Sequence, residues 1–175
     1  AALAYEVDHP SGKNILVYDL GGGTFDVSVV RLSTDVTEVL ASHGNNHLGG
    51  DDFDAKVVEH LVAWLKDEKG VDPSENRAAM ARLTRAAEAA KITLSDAPFA
   101  RVEEEYLLEQ AGNPVHLSLE LDRGEYEAMI ASFIAETLEA VHTALQGAGL
   151  AVADLHEILL VGGATRTPLV QRRLE

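Results

Sequence analysis

Two hydrophobic periods divide the chain. Asn14–Leu20 (NILVYDL) is a short apolar run that ends in an acid, and Phe25–Leu32 (FDVSVVRL) is rich in β-branched residues. Gly21-Gly22-Gly23-Thr24 joins them, so the pattern predicts strand, glycine turn, strand. Thr37–Ser42 (TEVLAS) reads as a third strand, and strands so close in sequence predict an antiparallel meander. Gly44–Gly50 reads as a loop. From Asp51 the period changes, with Phe53, Val57, Leu61 and Leu65 near one stripe of a helix running through Lys66. Asp72-Pro73-Ser74 breaks that helix, and an Ala-rich helix follows from about Glu75 to Leu94, stopped by Ser95–Pro98. Arg101–Leu108 and Val115–Leu121 read as strands around an Ala111–Pro114 turn. Asp122 caps a long helix to Gln146, with Glu125 completing a capping box and Gly147 and Gly149 ending it. Glu157–Val161 (EILLV) reads as a buried strand, Gly162-Gly163 turns it, and Thr167-Pro168 opens a last helix with an N-cap and Pro at its first position. This order predicts an α/β fold, with the middle helices and hairpin inserted between two parts of one lobe.

Composition narrows the classes. The 175 residues carry 14 Lys+Arg against 29 Asp+Glu, a net charge of −15, and 46% are hydrophobic. That suits one domain or two small lobes with a real core. The acidic balance argues against nonspecific nucleic-acid binding, which needs cations to replace counterions. No continuous apolar run reaches membrane-spanning length and no signal-peptide pattern opens the chain, so neither membrane insertion nor secretion is expected. With no Cys there is no disulfide, thiolate metal site or Cys nucleophile, and an intracellular, cytoplasmic home fits. Ala1–Tyr5 reads as a helix tail stopped by Asp8–Gly12, and Glu175 falls inside a helical pattern, so a piece of a longer protein is expected.

The strongest local signal is Asp19-Leu20-Gly21-Gly22-Gly23-Thr24-Phe25-Asp26. Adjacent glycines permit positive φ and close backbone approach, and successive N–H groups can form a nest for one anion. Thr24 adds a hydroxyl, while Asp19 and Asp26 flank the loop where a hydrated cation could sit beside a phosphate. No Lys-Ser/Thr follows and no helix starts here, so this is not a Walker loop. The rival reading is a hairpin that simply needs glycine. Val161–Pro168 (VGGATRTP) is a second strand, glycine turn and helix, in which Arg166 could stack on a base. Glu88, Lys91 and Ser95 share a helix face by spacing, either as a polar row for ribose and base or as an exposed Glu–Lys pair. His43, His47 and Asp51 lack the rigid face a zinc site needs. Asp51, Asp52 and Asp54 read as a magnesium cluster or, more simply, as acids complementing a helix N-terminus. Glu103–Glu105 reads as a solvated face, and Trp64, Phe53 and Phe133 as core.

Taken in order, DLGGGTFD at Asp19–Asp26, HLGGDDFD at His47–Asp54, AEAAKITLS at Ala87–Ser95 and VGGATRTP at Val161–Pro168 closely resemble the DnaK-type, seventy-kilodalton heat-shock chaperones, and AALAY at the start also fits. The resemblance implies the second lobe of an actin-like ATPase domain of ribonuclease H-like fold, with a mixed sheet. It implies subdomain IIA at about 1–48 and 122–175, with subdomain IIB inserted at 49–121. It implies ATP/ADP as ligand with Mg2+ and possible K+. Gly22, Gly23 and Thr24 would contact the phosphates, Gly21 and Gly50 would also bind the nucleotide, and Asp19 would sit near Mg2+ and its waters. Asp26 would help hold the monovalent cation, and Glu88, Lys91 and Ser95 would bind adenosine. Gly162, Gly163, Ala164 and Arg166 would line phosphate and base, with Arg166 stacked on adenine. The implied partners are a first lobe and a peptide-binding domain in the same chain, a nucleotide-exchange factor and a J-domain co-chaperone. The family usually has Glu where Asp51 stands and in some members Arg where Ile92 stands, and Phe99–Leu121 matches poorly. Two other readings stay open: a non-enzymatic docking module for an exchange factor, and a sugar- or acetate-kinase relative of the same fold.

Overall fold

The structure, a computed structural model, describes residues 12–33 and 36–175. The helix tail expected at Ala1–Tyr5 lies outside them. Two compact units emerge, one formed by residues 1–50 and 132–175 and the other by residues 51–131. The second crossing between them falls inside a helix, beyond its start near Asp122.

In the first unit, β1 (Lys13–Leu20), β2 (Phe25–Leu32), β3 (Thr37–Asn45) and β6 (Glu157–Val161) form a sheet in the order β3-β2-β1-β6. The expected meander is antiparallel throughout, while β6 runs parallel to β1, so the sheet is mixed. The continuous apolar run of β1 has a physical cause: both of its faces are covered. Ile15 and Val17 pack with Val30, Leu32, Leu159 and Val161 on one face. On the other face, Leu16, Tyr18 and Leu20 are fully buried. Tyr18 leans on Phe25 with ring centroids 4.8 Å apart. Its hydroxyl donates to Thr137 Oγ1 at 2.6 Å, and Thr137 in turn donates to the Ile134 carbonyl at 2.7 Å. Burial pushes the Tyr18 hydroxyl pKa up to about 12. β3 runs beyond the expected Ser42 and includes His43. β6 is half-buried rather than buried, because it closes one end of the described sheet and has a strand on one side only.

The second unit holds α1 (Gly50–Lys69, apart from its first residue), α2 (Arg77–Asp96), the hairpin β4 (Phe99–Gln110) and β5 (Asn113–Asp122), and the start of α3 (Arg123–Ala148). The α1 stripe is as expected, with Phe53, Val57, Leu61 and Leu65 fully buried. Asn76 caps α2 by accepting from Ala79 N–H at 3.0 Å. The Asp122–Glu125 capping box forms in both directions, at 3.1 and 3.2 Å. Two expectations need correction. Trp64 is half-buried, with the Lys69 ammonium 5.4 Å from its ring centre, and Phe133 is also only half-buried. Glu104 is not simply solvated: Arg82 donates to it at 2.8 Å and also to the carbonyls of Glu105 and Tyr106, fastening a bulge in β4.

Helix α3 has the length and mean hydropathy, 1.2 over its most apolar window, to cross a membrane by composition alone. The buried positions Tyr126, Ile130, Ile134, Thr137, Val141 and Leu145 lie along its inner stripe, the pattern of a core helix.

Candidate functional site

The parallel pair β1 and β6 points its carboxyl ends the same way, and each end carries a glycine turn. In open α/β sheets ligands collect beyond such ends. The register pairs Asp19 with Val161, which brings Gly21 and Gly162 to the same edge. A third segment joins them, because Gly50 N–H donates to the Gly21 carbonyl at 2.9 Å. Inside the first turn, Gly21 N–H donates to the Thr24 carbonyl at 3.0 Å.

The need for glycine here is steric. A Cβ on Gly49 would lie 2.3 Å from the Gly22 carbonyl oxygen, and one on Gly162 would lie 2.1 Å from that of Leu20. Both neighbours are backbone, so neither can swing aside. Gly162 also has φ of +93°, which L side chains resist. On Gly21 the same atom would stand 3.6 Å from the Thr24 oxygen, an ordinary contact. Gly44, opposite Asp26 in the ladder, leaves room for that carboxylate, since its Cβ would lie 2.7 Å from Asp26 Oδ1. Sequence reasoning assigned no role to Gly44 or Gly49. The signal for both was present, a glycine near the end of a strand and a glycine pair just before a helix. Gly49→Ala is expected to cost about 2–3 kcal/mol, since the first turn must shift to admit the methyl. Urea unfolding checks it, and a loss below 1 kcal/mol would show that the segments do not pack so tightly.

Gly22, Gly23 and Thr24 are exposed at the tip of the first turn, and their N–H groups enter none of the backbone bonds of the described turns. Gly163 is exposed with open space where a Cβ would point, Ala164 is buried, and Arg166 is exposed at the end of a short 3-10 turn. Thr165 Oγ1 steadies that turn by donating to the Gly162 carbonyl at 2.7 Å. Asp19 and Asp26 are direct cross-strand partners, so their carboxylates leave the same face of the hairpin. Like charges so placed destabilise a hairpin unless a cation lies near. The described residues contain no cluster of three or more metal-ligating side chains. A cation beside Asp19 would therefore draw most of its ligands from water or phosphate, which is the habit of Mg2+. His43 sits in β3 and His47 in the turn beyond it, its N–H held by Asn45 Oδ1 at 2.8 Å, so the two share no helical face. The donor set at this edge (backbone N–H groups, one hydroxyl and paired carboxylates) fits a phosphate with a hydrated cation.

In the second unit Glu88 is exposed, while Lys91 and Ser95 are half-buried. Lys91 does not pair with Glu88 as the simpler reading held. Its ammonium donates to Asp54 Oδ2 at 2.7 Å, and Ser95 Oγ donates to the Lys91 carbonyl at 3.3 Å. Asp51 and Asp52 lie in the first turn of α1, where they complement its dipole, but Asp54 is buried beneath them. Burial raises the Asp54 pKa, the bond and charge of Lys91 counter it, and Glu88 and Asp51 add to the rise.

An α/β lobe with a mixed sheet and glycine turns at the ends of parallel strands is the architecture of the actin-like ATPases. The family model for the Hsp70 protein matches residues 1–175, and the chain belongs to the Hsp70 family. It is therefore a domain of a chaperone family whose members bind nucleotide with Mg2+ and work with co-chaperones.

Proposed function

We propose that this chain is the second lobe of the ATPase domain of a DnaK-type chaperone and that it holds ATP or ADP. The phosphates lie on Gly21–Thr24, beside Gly50, and on Gly162–Ala164. Asp19 orients the waters of Mg2+, and Asp26 helps hold K+. Glu88, Lys91 and Ser95 take the adenosine, and Arg166 stacks on the base. The observation that carries this reading is the backbone-on-backbone meeting of Gly21–Gly23, Gly49–Gly50 and Gly162 at the carboxyl end of β1 and β6. A hairpin that merely needed glycine would not recruit two further glycine segments.

The chain's own contribution is positioning and charge. Phosphoryl transfer depends on both and asks little covalent chemistry of the protein. The N–H groups of the first turn receive phosphate oxygens, and the exposed guanidinium of Arg166 supplies a cationic plane. Mg2+, when bound, neutralises phosphate charge. In the full-length protein ATP hydrolysis drives client-peptide binding and release, with a J-domain co-chaperone and a nucleotide-exchange factor as partners and the cytoplasm as the setting.

Arg166→Ala is expected to weaken ADP binding by about 1–2 kcal/mol, the scale of a partly desolvated cation–π contact. Calorimetry with Mg2+ and ADP on the full-length protein tests it. Unchanged affinity removes Arg166 from the site, and no ADP binding by the unaltered protein ends the nucleotide reading.

A further inference from the structure

Asn45 closes β3 and stands opposite Phe25, the residue after Thr24, in the ladder between β2 and β3. Its side chain makes two bonds. Oδ1 accepts from His47 N–H at 2.8 Å, an Asx turn that sets the path of the chain as it leaves the strand. Nδ2 donates to Glu136 Oε1 on α3 at 2.5 Å, across 91 residues of sequence. The acceptor is a carboxylate, so the bond is charge-assisted. Both residues belong to the first unit, as does the glycine edge.

Asn46, His47 and Leu48 alone separate Asn45 from Gly49, whose backbone meets that of Gly22, and from Gly50, whose N–H holds the Gly21 carbonyl at 2.9 Å. Where this turn sits therefore decides where Gly49 meets Gly22. A cavity of about 370 Å³ lies between the turn and α3, lined by Asn46, His47 and Leu48 from the turn and by Thr137, Ala140 and Thr143 from the helix. Packing leaves a gap here, and the Asn45–Glu136 bond crosses it from one wall to the other. Glu136 is itself exposed, so its carboxylate ties the turn without filling any core.

We propose that Asn45 and Glu136 are positioning residues for phosphate binding: their bond ties the Asn45–Gly50 turn to α3, holds Gly49 and Gly50 against Gly21–Gly23, and so keeps the first glycine turn in the shape that receives phosphate oxygens. The proposal rests on the phosphate assignment of that turn made above. It goes further in naming the two side chains, one strand and one helix away from the phosphates, that set the shape of the turn. Both act through the glycine segments. A turn already held in its binding shape loses no freedom when the ligand arrives, and that saving is the gain in affinity. A ligand without phosphates gains nothing from it.

The test measures the affinity of the full-length protein for ADP and for adenosine, with Mg2+ present. Folding of each variant is verified by circular dichroism. The unaltered protein is expected to prefer ADP. Glu136→Ala is expected to weaken ADP about fivefold, the scale of one hydrogen bond, and to leave adenosine within about twofold. Asn45→Asp keeps the bond to His47 N–H but sets two carboxylates face to face, and at least the same loss is expected. Adding Glu136→Gln to Asn45→Asp reverses the bond, since the glutamine amide now donates and the aspartate accepts. This double variant is expected to return ADP affinity to within about twofold of the unaltered protein. Unchanged ADP affinity in both Glu136→Ala and Asn45→Asp overturns the proposal and leaves the phosphate assignment standing. Equal weakening for ADP and adenosine would mean a merely structural role and overturns it too, as does failure of the folded double variant to recover. If the unaltered protein binds adenosine as tightly as ADP, the phosphate assignment itself fails and the proposal falls with it.

Discussion

Gly162→Ala is expected to destabilise the protein by about 4 kcal/mol, from added backbone strain and overpacking together. The strain comes from φ of +93°. The overpacking comes from a methyl placed 2.1 Å from the Leu20 carbonyl oxygen and 2.5 Å from its carbon. Relief requires the end of β1 to move away from β6, and that end carries Asp19 and Gly21. Nucleotide affinity is therefore expected to fall with stability. Gly163→Ala supplies the control. A Cβ there meets nothing within 4 Å, so its cost is expected to stay within about 0.5 kcal/mol. Urea unfolding of both variants decides the matter. Equal losses would show that glycine content, rather than the close approach at Gly162, is what matters.

Lys91→Met is expected to cost about 2–3 kcal/mol at neutral pH, less than for a fully dry ion pair because both side chains keep some exposure. The methionine fills the stem volume but leaves Asp54 buried without its counter-charge. Its pH dependence follows from the direction of the Asp54 shift. Burial already raises that pKa above 3.8, and Lys91 is the group holding it down. Removing Lys91 raises it further. A carboxyl whose folded pKa exceeds its unfolded value contributes stability that is fully present below the unfolded pKa and is lost as pH rises through the folded one. The deficit of Lys91→Met relative to the unaltered protein is thus largest at pH 7 and shrinks toward pH 4. Unfolding curves at both pH values check this. A deficit independent of pH would mean that the pair contributes through packing rather than charge.

Much of the local structure could be read directly from residue order. A short apolar run marked β1, a β-branched-rich run marked β2, the Phe53–Leu65 stripe marked α1, and Asp122 with Glu125 marked the start of α3. These features depend on neighbours within a few residues, which sequence displays. The glycine motifs were equally visible, and so was the family they belong to. Other features turned on partners far away in the chain. Glu104 reads as one of three solvated acids until Arg82, 22 residues earlier, reaches it.

Which glycines are indispensable was also a tertiary matter. The densest cluster, Gly21–Gly23, drew attention, yet severe close approaches fall at Gly44, Gly49 and Gly162, where one backbone meets another from a distant segment. Asp54 belongs to the same class. On sequence it is an acid in a row of acids, because a row cannot show that Lys91, 37 residues on, lies across from one of them. The sequence by itself determined the elements, the caps, the glycine turns and the family. The tertiary structure decided which backbone has no room for a side chain and which charge is buried with a partner, because both depend on distances across the fold that local order does not encode.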